Sequence, residues 1–317
     1  MPTNTAAHFA KTIDIIGFGE PLMEFSSIIR KGESLYMPGH GGDTSNATIA
    51  AARQGARTAY FTWMGDDAFG RDFLTLWDIE GVDRHHVMIR EGTRTGIYFI
   101  THGPDGHEFS YFRAGSAASL VTPADLPLAT IASAKVLHVS GISQGISLTA
   151  CDAVFAAIHH ARFSATTVSY DTNLRLRLWP LERARATIHA ALKLTDIALP
   201  GLDDAIQLTG LQRPEDICAL YLSYGCKIVA LTMGKSGTMV ATPDQVQVIA
   251  ARPVKALDAT GAGDTFDGAF LAQWLANGQD PFAAAAYANA AAALSTLGYG
   301  AVAPIPQRAA VEDFIAA

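Results

Sequence analysis

The strongest constraint on this chain is a rhythm. Short apolar runs, each closing on a glycine or polar turn, recur with helical patterns between them. "TIDIIGFGE" (12–20), "TAYFTWMG" (58–65), "KVLHVSG" (135–141), "TTVSYDTN" (166–173), "DIALPG" (196–201) and "KIVALTMG" (227–234) are short and rich in β-branched residues, so they read as buried strands. Helical periodicity fills 147–161, 181–193, 203–209 and 214–224. "TSNATIAAARQGA" reads as a helix capped by Thr44 or Ser45 and stopped at Gly55, and "DDAFGRDFLTLWDIEGV" as another. Strands alternating with helices predict an α/β fold with a doubly wound, mostly parallel sheet. Ligands of such sheets bind beyond the carboxyl ends of the strands, which is where the polar turns fall.

One segment breaks the rhythm. "RTGIYFITHGPDGHEFSYFRAGSAAS" (94–119) is two β-rich runs around a "GPDG" turn, an antiparallel hairpin. "LMEFSSI" and "SLYMPG" are further short strands near the N-terminus. These four predict a small sheet built from about 21–38 and 94–114, inserted into one domain spanning 13–317. Residues 1–12 are expected to be flexible and carry no signal-peptide core, so the chain is expected to be cytoplasmic.

Composition excludes several classes. The net charge is −7 with no basic block, which argues against nucleic acid as a partner. No apolar run is long enough to span a bilayer, and the Ala-rich 283–300 reads as a buried helix. Cys151, Cys218 and Cys226 are spaced like core thiols, not like a disulfide framework or zinc site. The pairs His85–His86 and His159–His160 point apart and make no ready chelate.

Three glycine turns remain. "GFGEPL" (17–22) opens like a dinucleotide fingerprint but has Leu22 for the third glycine and Glu20 where a pyrophosphate would lie. "GGDTSN" (41–46) is either a plain loop and cap, or a site where Gly41 and Gly42 admit a ligand and Asn46 offers an amide to hydroxyls. "GAGD" (261–264) is more specific, because a simple N-cap Asp needs no Gly-x-Gly before it. The amides of Gly261, Ala262 and Gly263, at a helix N-terminus, suit charge developing on a transferring phosphoryl group. Asp264 beside them suits the proton of an attacking hydroxyl.

"DATGAGDTFDGAFLAQWL" resembles the C-terminal signature of the ribokinase-like (PfkB) carbohydrate kinases, and "GGDTSNATIAAARQGARTAYFTWMGDDAFGRDF" their N-terminal signature. "LTMGKSGTMV" (231–240) is similar to their ATP-phosphate strand and turn. The resemblance, over about 13–315, implies a ribokinase-like fold with a β-sheet lid and Mg-ATP as donor. It implies ATP contacts at Thr232, Gly234, Gly237, Gly261 and Gly263. It brings Asn289 near the adenine, although plain packing suits that residue equally. The family's Asn-x-x-Glu metal motif falls on "GLDD" (201–204), so Asp204 keeps a carboxylate for Mg2+, through water, while Gly201 replaces the Asn. The resemblance leaves room for a monovalent cation, and open lid edges offer a route to a homo-oligomer.

Tyr111 and Arg113, two apart on a strand, face one side, and Arg175 follows a strand end. A guanidinium grips a carboxylate bidentately, which a neutral sugar does not need. "GGDTSN", "TGIYFI", "YFR" and "DTNLRLRLW" together resemble the 2-keto-3-deoxygluconate kinase branch. That branch's substrate positions fall on Gly42, Asn46, Tyr98, Tyr111, Arg113, Arg175 and Asp264, so a sugar acid is the expected acceptor. A neutral-sugar kinase, or a catalytically silent binding protein of the same fold, are the alternatives.

Overall fold

The structure, a computed structural model, describes residues 10–30, 32–103 and 106–317. In chain order the strands are β1 (Ile13–Phe18), β2 (Leu22–Arg30), β3 (Glu33–Gly41), β4 (Thr58–Gly65), β5 (Asp83–Arg90), β6 (Gly96–Gly103), β7 (Gly106–Phe112), β8 (Ala134–Ser140), β9 (Thr167–Asp171), β10 (Ile197–Leu199), β11 (Ile228–Thr232), β12 (Thr238–Ala241) and β13 (Val246–Ile249). Among the described residues they form a nine-stranded sheet, ordered β13-β12-β11-β10-β9-β8-β1-β4-β5, and a four-stranded sheet, ordered β3-β2-β6-β7.

From β11 across to β5 every pairing in the large sheet is parallel. Its central strands are apolar on both faces because helices cover both, and the core divides accordingly. Leu137, Val139, Val168 and Leu231 pack into one layer, whereas Ile15, Val136, Leu199 and Ala230 pack into the other. β12 and β13 close one edge as antiparallel strands. β5 carries no alternation of apolar and polar residues in "DRHHVMIR", and it escapes a reading by pattern.

The four-stranded sheet is the hairpin β6–β7 joined in parallel to β2, with β3 antiparallel at its edge. Pro104 and Asp105, at the expected hairpin turn, lie outside the described residues, as do residues 1–9 of the expected flexible start. Cys218 and Cys226 are buried, and all three cysteines are free. Among the described residues no helix is long and apolar enough to cross a membrane.

The helix Asp43–Arg53 corrects one expectation. Its N-cap is Gly42, with no side-chain cap, while Thr44 and Ser45 lie inside the helix and buried. Their hydroxyls meet Tyr60 Oη (2.9 Å) and Trp77 Nε1 (3.1 Å) instead. Gly42 has φ 107°, and a Cβ there would stand 2.5 Å from the Glu20 carbonyl oxygen. The glycine is needed for this backbone conformation and for internal packing, and it also lines the cavity described below.

Candidate active site

A cavity of about 900 Å³ opens at the carboxyl ends of the parallel strands, between the two sheets. The small sheet contributes Leu22, Tyr98, Phe109 and Tyr111 to its wall, with Arg113 just beyond β7. Tyr98 and Tyr111 stack at 5.6 Å between centroids, and the Tyr98 hydroxyl donates to buried Glu24. The segment after β9 contributes Arg175, the first turn of the helix Leu202–Thr209 contributes Asp204, and the start of the helix Ala262–Ala276 contributes Gly263 and Asp264.

Asp264 stands in the first turn of that helix and accepts a hydrogen bond from Asn46 Nδ2 at 2.8 Å. The contact depends on two helices packing closely. A Cβ on Gly268 would lie 2.1 Å from the Ala47 carbonyl oxygen, so the Ala262 helix approaches the Asp43 helix only because residue 268 has none. Asn46 therefore holds Asp264, a partner that its expected contact with a ligand hydroxyl did not include.

The Asp264 carboxyl is pushed up to about 7, first by burial and then by the charge of Asp43, against the opposing pull of Asn46 and Arg175. Asp43, Asp171 and Asp267 line the same cavity and are raised as well, Asp43 by burial, and Asp171 and Asp267 by burial and then by the neighbouring carboxylates. Sequence reasoning left these three unassigned. All three lie inside quoted stretches, but only the fold shows that they share one floor.

Arg113 and Arg175 both line this acidic cavity. Arg113 is buried against Glu20, its Nε 2.7 Å from Oε2. Glu20, set aside in sequence as a misfit to a dinucleotide turn, is thus the partner of a cavity arginine. Arg175 is half exposed, with Nη1 3.8 Å from Asp204 Oδ2. Arg177 also lines the cavity and donates to the Phe109 carbonyl, tying the turn after β9 to the small sheet.

Several expected contacts are placed elsewhere. Ala262 does not line the cavity, and its N–H closes a turn to the Ala259 carbonyl (3.2 Å), so an anion site there narrows to Gly261 and Gly263. Gly41 packs against Tyr98, outside the lining. Thr232 lines the cavity, whereas Gly234 and Gly237 shape the β11–β12 turn. Asn289 is engaged in packing: it accepts from Thr238 Oγ1 (2.7 Å) and donates to the carbonyls of Ile249 (3.1 Å) and Ala250 (3.3 Å). Among the described residues no group of three or more His, Cys, Asp or Glu side chains is arranged to hold a metal ion.

A large parallel sheet, a small separate sheet and a cavity between them, with Asp264 at a helix N-terminus, are the setting in which comparison becomes informative. The model of the pfkB family carbohydrate kinases matches residues 13–308. The chain belongs to this family. It is a carbohydrate kinase. Over 290 residues it is 34% identical to the 2-dehydro-3-deoxygluconokinase of Thermoproteus tenax, covering 89% of this chain and 88% of that one. It is 35% identical to fructokinase-2 of Solanum habrochaites, covering 81% and 80%. Among solved structures it is similar to an E. coli protein provisionally named ribokinase II, in complex with ATP and Mg2+. The TM-score is 0.87 and the identity 25%, over 96% of this chain and 99% of that one.

Proposed function

We propose that this carbohydrate kinase transfers the γ-phosphoryl group of ATP to the primary hydroxyl of 2-keto-3-deoxygluconate. The observation that carries the reading is that Arg113 and Arg175 line the same cavity as Asp264. Acidic side chains dominate that cavity, so a sugar carboxylate would be repelled without guanidinium partners. The Thermoproteus tenax relative supports the same acceptor.

Asp264 is the general base. A carboxyl near 7 is half ionised at neutral pH and is a strong enough base to take a hydroxyl proton in the transition state. The acceptor oxygen bonds to the γ-phosphorus, its proton passes to Asp264, and the bond to the bridging oxygen breaks to release ADP. Gly261 and Gly263, at the helix N-terminus, offer backbone N–H groups to the transferring phosphoryl. Asn46 keeps the Asp264 carboxylate oriented. Mg2+ would enter with ATP as part of the substrate and neutralise phosphate charge, a reading supported by the E. coli structure, which is a complex with ATP and Mg2+. With ATP as the donor, the same reading makes this a cytoplasmic enzyme.

A second reading has its own support. The Glu20–Arg113 ion pair already balances one guanidinium, and fructokinases stand as close in identity as the sugar-acid kinase. A neutral ketose such as fructose is the alternative acceptor. ATP consumption measured across 2-keto-3-deoxygluconate, fructose and ribose separates the two. The sugar-acid reading expects the highest kcat/KM for the acid, and a loss of about tenfold or more for it alone in Arg175→Lys. A preference for fructose, with Arg175→Lys without effect, would install the alternative.

A further inference from the structure

Arg175 sits on a segment without regular structure, Thr172 to Arg175, so its direction must be set by contacts. Asn173 adopts φ 27°, rare for a residue with a side chain, and Asp171 holds it there. The Asn173 N–H donates to Asp171 Oδ1 (3.0 Å) and its Nδ2 to Oδ2 (2.9 Å). The next peptide is gripped from the other side. The Leu174 N–H donates to Asp204 Oδ2 at 2.8 Å, while the Leu174 carbonyl accepts from Arg175 Nη1 at 2.9 Å. The same Asp204 oxygen lies 3.8 Å from that Nη1.

Asp204 is free to do this. It is the third residue of the helix Leu202–Thr209, where a carboxylate usually turns back to the cap. Here the cap is Gly201, and Asp204 reaches across to the neighbouring strand end instead. The family pattern pairs a carboxylate at this point with an Asn for metal. In this chain the Asn is absent, and one Asp204 oxygen is engaged by a backbone amide.

We propose that Asp204 is a positioning residue for Arg175: through the Leu174 peptide it fixes the guanidinium at the cavity wall, and so sets affinity for an acidic acceptor. The inference rests on the reading of Arg175 as a carboxylate contact. Its consequence is that loss of Asp204 appears in KM for the acid, not in the use of Mg2+.

The test is steady-state kinetics of wild type, Asp204→Ala, Asp204→Asn, Arg175→Ala and the Arg175→Ala/Asp204→Ala pair, with 2-keto-3-deoxygluconate and Mg2+ each varied at saturating ATP. Asp204→Ala is expected to raise KM for the acid about tenfold with kcat and Mg2+ half-saturation within about twofold. Asp204→Asn keeps an acceptor for the Leu174 N–H and is expected within about threefold of wild type. The double variant is expected to be no worse than Arg175→Ala alone, because the two residues act through one contact. Additive losses, or a raised Mg2+ half-saturation in both Asp204 variants, would overturn the inference in favour of a metal contact. Arg175→Ala without effect on the acid would overturn the sugar-acid reading and this inference with it. Arg175→Ala impaired while Asp204→Ala is silent overturns the inference alone. If Asp204→Ala fails to fold, Asp204→Asn decides: near-wild-type KM and Mg2+ dependence support it, and a raised Mg2+ half-saturation rejects it.

Discussion

The guanidinium of Arg113 lies against the carboxylate of Glu20, from Nε to Oε2 at 2.7 Å, with both side chains almost fully withdrawn from water. Ser116 Oγ donates to the other Glu20 oxygen, so the acid has partners on both sides. Desolvation makes such a pair weak evidence for stability, yet removing one member leaves an uncompensated charge inside the protein.

Glu20→Gln is therefore expected to lower unfolding stability by about 3 kcal/mol or more. Urea denaturation followed by fluorescence measures it. A midpoint unchanged from wild type would mean that Arg113 finds water or another partner, and that the pair is dispensable.

The pH dependence follows from Asp264. Its carboxyl is raised from 3.8 to about 7, so the folded protein binds this proton more tightly than the unfolded chain. Its contribution to stability is then full below the unfolded value and is lost as pH rises through about 7. With Asp264 as the proposed base, activity runs the other way, because the base must be ionised. The expected kcat/KM profile falls about tenfold per pH unit below a limb near 7. Asp264→Asn is expected to lose about 10²-fold or more in kcat while gaining thermal stability above neutral pH. Turnover close to wild type in this variant would remove Asp264 from the chemistry.

Asn46 sets where that limb lies. Its amide donates to the ionised form of Asp264 and holds the pKa down against burial. Asn46→Ala is expected to move the acidic limb of kcat/KM to higher pH. An unmoved limb with lower kcat would confine Asn46 to geometry.

Gly268 permits the contact between Asn46 and Asp264 from a distance. A side chain there meets the Ala47 carbonyl and Ala50 Cβ, which are backbone and core and cannot swing away. Gly268→Val is expected to destabilise by about 1–3 kcal/mol and to reduce kcat by separating the two helices. Thermal melts and kcat together test this. A stable variant with full activity would show that the helix pair tolerates the shift.

The alternation of apolar runs and helical patterns was enough to determine the α/β class, because a strand covered on both faces must be apolar on both, as Ile228–Leu231 in "KIVALTMG" is. The "GAGD" turn likewise announced an acid in the first turn of a helix behind a glycine turn, since both features are local to four residues. Partnership was decided only by the tertiary structure. Glu20 and Arg113 are 93 positions apart, and Asn46 and Asp264 are 218 apart. Leu174 and Asp204 meet because parallel strands bring their carboxyl ends to one edge. A hydrogen bond between distant segments leaves no periodicity in either, and a pKa moved by burial depends on which side chains the fold crowds together. The motifs were therefore legible in the chain, whereas which residue grips which arginine, and how basic Asp264 is, followed from packing.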